Sequence, residues 1–173
     1  MRLVRVAAAL AALTLIVAGC TDDDPEPKVD PTPSTSTTTT PDPTSTEAPL
    51  TPVQTVTAWV EARNETLKDG RTTEVYALST PDCSTCRDLV EPFVQLLADG
   101  GSIETDGWTI DSSRERPAFQ KNQQVIAALT FAGGHTELPG EGSSPFPEEK
   151  HILQFQLREA ASGWLVAQVV FLP

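Results

Sequence analysis

The sequence predicts an α+β fold over residues 51–173, with helices first and strands after them. Apolar residues recur at helical spacing between Thr51 and Gly101. From Trp108 to Phe171 the period changes to two. The residues before Thr51 follow neither rule. Helices grouped ahead of strands, rather than alternating with them, place the helices on one face of an antiparallel sheet.

The chain has 173 residues, with 12 Lys plus Arg against 24 Asp plus Glu and a formal net charge of −12. That balance argues against nucleic acid as a partner, because such binding needs clustered cations to replace phosphate counterions.

Arg2 and Arg5 precede an uncharged, largely apolar run from Val6 to Ala18. As a helix this run would span roughly 20 Å, short of the ~30 Å hydrocarbon core, so residues 1–19 read as an export signal and not a membrane span. The junction Val17-Ala18-Gly19-Cys20 resembles the lipobox of bacterial lipoproteins. By that resemblance Cys20 becomes the diacylglyceryl-modified first residue of the mature chain, on the outer face of the cell membrane. Two acyl chains meet the two-signal condition for stable anchoring. Losing the two leader arginines takes the formal charge from −12 to −14.

Residues 20–50 form the expected linker. Positions 21 to 49 hold nine Thr, three Ser and seven Pro, a composition that cannot bury enough surface to offset its ordering entropy. Extended as polyproline II such a spacer reaches about 90 Å, and as a flexible coil about 30 Å.

Thr51-Pro52-Val53-Gln54 carries an N-cap, a Pro in the first turn and a capping-box Gln. Val56, Trp59, Val60 and Leu67 follow on one helical face, and Gly70 supplies the stop. A shorter helix is expected around residues 72–79. A third opens near Cys83 with Cys86, Leu89, Val90, Phe93, Val94 and Leu97 as its apolar stripe. Pro92 predicts a kink in it near Asp88, and Asp99-Gly100-Gly101 ends it.

Trp108 and Ile110 begin the alternation. Val125 to Phe131, Leu153 to Leu157, and Leu165, Ala167, Val169 and Phe171 continue it as strands. Residues 132–148, rich in Gly and Pro, read as a loop, and Ala160-Ala161-Ser162-Gly163 as the last hairpin turn.

Pro81-x-Cys83-x-x-Cys86, Gly100-Gly101, Gly107-Trp108 and the terminal Gly163-Trp164-x-Val166 together resemble a family of actinobacterial lipoproteins that carry a domain of unknown function. The layout also resembles the nuclear transport factor two-like cone, in which three helices close a curved antiparallel sheet. That superfamily holds isomerases, dehydratases, cyclases and many non-enzymatic binding domains, so the resemblance implies a fold and no single activity.

Three cysteines in an exported chain leave one over. Lipidation uses Cys20, and Cys83 and Cys86 remain as a pair. The favoured reading is a static disulfide at a helix start. A redox motif would be expected after a strand in a βαβ unit, and zinc would need further ligands at suitable spacing. If the cone holds a cavity, Tyr76, Glu104, Asp106 and His151 are the polar residues expected near it. His151 is expected to open a strand and His135 to lie in the loop. Asn64-Glu65-Thr66 matches a glycosylation sequon but falls inside a helix. No catalytic residue, metal or cofactor is assigned. The expectation is a lipid-anchored envelope protein that binds a partner protein or a small hydrophobic ligand. An enzyme using the cone cavity and a thiol-disulfide oxidoreductase are the alternatives.

Overall fold

The computed structural model describes residues 48–173. The expected signal peptide, Cys20 and the linker as far as residue 47 lie outside the described residues.

Helix α1 runs Pro52–Asp69 and begins as its capping box dictates. The Gln54 amide N–H donates to Thr51 Oγ1 at 3.3 Å, and the Thr51 N–H donates back to Gln54 Oε1 at 2.9 Å. Gly70 closes the helix in the left-handed region at φ 73°, where a side chain would be strained. Val56, Trp59, Val60, Arg63 and Leu67 form its buried face. Helix α2 is Thr73–Ala77 and buries Val75.

The expected third helix is two. α3 spans Ser84–Asp88 and α4 spans Glu91–Ala98, separated at Leu89-Val90. Pro92 does not kink a continuous helix. It occupies the first turn of a new one, where its missing N–H leaves no hydrogen bond unmade.

Among the described residues seven strands follow: β1 Ser102–Thr105, β2 Trp108–Phe119, β3 Asn122–Phe131, β4 Gly134–Leu138, β5 Gly142–Phe146, β6 Glu149–Ala160 and β7 Gly163–Leu172. β2, β3, β6 and β7 make a four-stranded antiparallel sheet in that order, and β1, β4 and β5 make a second sheet of three strands. The segment 132–148 is therefore not a loop. It holds the β4–β5 hairpin, and the strand that β4 pairs with on its other side, β1, was likewise not expected. These strands are short and mostly polar, with only single apolar residues such as Ile103 and Phe146, too few to announce a period of two in the sequence.

Register shifts bend the large sheet, at Asp111 in β2 and around Ala167 in β7. The second shift corrects the expected alternation. Val166 pairs with Leu157 and Val169 with Phe155, both buried, while the expected inward Ala167 is only half-buried. A backbone bridge covers the β7 edge there: the Val166 N–H donates to Leu78 O, and the Thr80 N–H donates to Val166 O.

The core lies between the helices and one face of this curved sheet. Val56, Trp59, Val75, Cys86 and Val90 from the helical layer meet Val125, Leu129, Leu153, Phe155 and Leu157 from the strands. The α+β layout expected from sequence, with helices packed on a curved antiparallel sheet, is the one found.

Candidate functional site: an apolar pocket with a buried arginine

The helices do not fill the whole concave face. A pocket of about 400 Å³ opens between α1, the α3–α4 junction, the small sheet and one end of the large sheet. Its walls include Leu67, Leu89, Phe93, Ile103, Trp108, Phe131, Phe146 and Phe171. Asp88, Glu149 and Arg63 are its ionisable residues.

An aromatic stack forms one wall. Trp108 and Phe131 lie face to face with ring centres 4.1 Å apart and planes within 3° of parallel. They are direct cross-strand partners of β2 and β3. Phe171 meets Phe131 edge-on at 6.1 Å. On the far side of Trp108 sits Arg63, its Cζ 3.9 Å from the indole centre and 4.9 Å from that of Phe93.

Asn64 fixes the stack to α1. Its side chain receives the Trp108 N–H at 2.9 Å and donates to Trp108 O at 2.8 Å, pairing with that backbone as a neighbouring strand would. Gly107 makes this approach possible. Its φ is 79°, and a Cβ there would come within 2.5 Å of Asn64 Oδ1.

Arg63 is 4% exposed. Among the described residues its Nε and Nη1 have no hydrogen-bond partner and no carboxylate forms an ion pair with it. Burial lowers its pKa to about 9, which still leaves the guanidinium charged at neutral pH. A lone cation in an apolar wall attracts negative charge, and the rings around it offer stacking and dispersion to whatever carries that charge.

None of Tyr76, Glu104, Asp106 and His151 lines the pocket. Tyr76 packs half-buried against the core, where desolvation, and then the charge of Glu91, raise its pKa. Glu104 and His135 face each other across β1 and β4, at 3.4 Å between Oε2 and Nε2. His135 is thus a strand residue and not a loop residue. His151 is the third residue of β6, as expected near a strand start. It packs on Phe131 and Phe171 and meets Glu149 Oε2 at 2.9 Å.

Cys83 and Cys86 lie with sulfurs at bonding distance, 2.08 Å, and both residues are buried. Thr85, between them, accepts the Val169 N–H at 2.9 Å, so the pair sits where α3 docks on β7.

Arg63 is the residue that sequence reasoning passed over. The signal was its phase: it lies four residues after Trp59 and four before Leu67, on the stripe that α1 buries.

The sequence matches no family profile and no curated protein. Its fold has counterparts among solved structures. The intermembrane-space region of the chloroplast protein ARC6 is 15% identical, with a TM-score of 0.51 over 68% of this chain and 91% of that one. A putative calcium/calmodulin-dependent protein kinase II association domain from Xanthomonas campestris is 14% identical, with a TM-score of 0.43 over 70% of this chain and 87% of that one. A similar association domain from Exiguobacterium sibiricum is 13% identical, with a TM-score of 0.46 over 73% of this chain and 95% of that one. At these identities the likeness is one of fold alone.

Proposed function

We propose that this chain is an exported lipoprotein of the actinobacterial type, tethered through Cys20 to the outer face of the cell membrane, whose domain binds a small, largely apolar ligand. The observation that carries the binding reading is the pocket. Its volume of about 400 Å³ lies within the range of small-molecule sites. Its walls are mostly aromatic and aliphatic side chains, with few polar groups among them, which is the usual make-up of such a site. Burial of both sulfurs supports a structural role for Cys83 and Cys86 over redox catalysis, which needs an accessible thiolate.

The tether and the pocket are tested separately. Cys20→Ala should move the protein out of the detergent phase and block processing before residue 20; a variant still processed and membrane-bound would overturn the anchor. For the pocket, the probe is decan-1-ol, uncharged and apolar, followed by calorimetry on the purified chain. Saturable binding, abolished by Ile103→Trp, which fills the cavity from the small sheet, is expected. Binding that is absent, or indifferent to Ile103→Trp, would overturn the ligand-binding reading.

A further inference from the structure

Arg63 makes little sense as a packing residue. Its position on α1 lies in phase with Trp59 and Leu67, where an apolar side chain would bury without cost. A guanidinium there loses its hydration, and among the described residues no acceptor reaches its Nε and Nη1. The contact with Trp108 offsets part of that loss, but a ring face accepts no conventional hydrogen bond from the in-plane donors.

We infer that Arg63 is the recognition point for an anionic headgroup, and that the pocket takes an amphipathic monoanion: a carboxylate joined to an apolar body. This deepens the ligand-binding reading and rests on it. A carboxylate in the pocket supplies the charge partner that the guanidinium lacks among the described residues, in a site where charge-assisted hydrogen bonds are strong. Phe93, Phe131, Phe146 and Phe171 then cover the apolar remainder. Asp88 and Glu149, exposed members of the same lining, add negative charge to its surface. A single buried cation beside them suits one negative charge better than a phosphate monoester, which carries nearly two at neutral pH.

The experiment compares decanoate with decan-1-ol on the purified full chain, wild type and Arg63→Met. Wild type should bind decanoate about tenfold or more tightly than the alcohol, the effect of one charge-assisted contact. Arg63→Met should bring decanoate down to the level at which the same variant binds the alcohol. The variant should melt no lower than wild type without ligand, because it removes a buried charge that has no partner. Equal affinity of wild type for the two probes, or decanoate binding that survives Arg63→Met, would overturn the inference and leave Arg63 a structural cation on Trp108. Should the variant fail to fold, the wild-type ratio decides alone. If decan-1-ol binds and decanoate gains nothing, the pocket stands and the anion site falls. If neither probe binds, both fall.

Discussion

Two polar side chains, Asn64 and Ser79, hold the aromatic residues in place, and neither role was legible in the sequence. Asn64 looked like part of a chance sequon, yet its amide is committed on both sides to the Trp108 backbone. Asn64→Ala would leave that N–H and C=O without partners, and should cost about 2 kcal/mol in urea denaturation. Asn64→Asp should not rescue it, because a carboxylate oxygen would face the Trp108 carbonyl where the amide now donates. Ser79 accepts the indole N–H of the fully buried Trp59 at 2.9 Å and donates to Val75 O at 2.7 Å. Ser79→Ala should lower stability by about 1–3 kcal/mol, the penalty for an orphaned buried donor. Both roles depend on partners 20 or 44 positions away, which no local pattern reveals.

Helix α1, with the strongest local chemistry, was legible to within a residue or two. The capping box and Gly70 bounded α1 because both ends are decided by nearby hydrogen bonds. The alternation of β6 survived intact because one face lies on the core, and β3 buries the expected Val125, Ala127 and Leu129 but also Ile126 between them. The α3–α4 break was legible only as a kink at Pro92, and the β7 bulge was not legible at all. The pair at the start of α3 offers a direct measurement. Five residues are too few to hold a helix alone, and closing so short a loop contributes about 2 kcal/mol in the chain-entropy model. Reduction should lower stability by about that amount and be slow without denaturant, because both sulfurs are buried. A reduction potential near −120 to −200 mV, the range of redox catalysts, would instead identify a working thiol pair. The β2–β3 turn gives a prediction of opposite sign. Gln120 and Lys121 both have positive φ, at 48° and 69°, conformations that Asn-Gly adopts with less strain. Lys121→Gly should therefore raise stability by about 0.5–1 kcal/mol, read as a higher urea midpoint.

For the whole molecule, class and element order followed from periodicity, whereas the pocket did not. One of its walls is the β1–β4–β5 sheet, built from segments with almost no apolar signature. Its assembly depends on backbone proximity. A Cβ on Gly134 would collide with the Glu104 carbonyl oxygen of the neighbouring strand. Gly134→Ala should therefore force β1 and β4 apart, costing about 1–3 kcal/mol and weakening decan-1-ol binding more than the substitution of a distant residue would. Gly140 and Gly142, at the far tip of the hairpin, have open space around their Cβ positions. A chain beginning at Leu50 should melt with the midpoint of the full mature protein, since the composition before it offers no core to lose. A fall of many degrees would show that the linker docks on the domain.

The stacking of Trp108 between Arg63 and Phe131 also gives the protein its own optical readout. An indole in the cavity wall, with a guanidinium over one face, shifts its emission when the polarity or charge beside it changes. Trp59 is sealed in the core, with its ring centre 6.4 Å from that of Trp108, and Trp164 lies outside the lining. With both replaced by Phe, the remaining fluorescence should follow occupancy of the pocket without any added dye, at the concentrations where the calorimeter records heat.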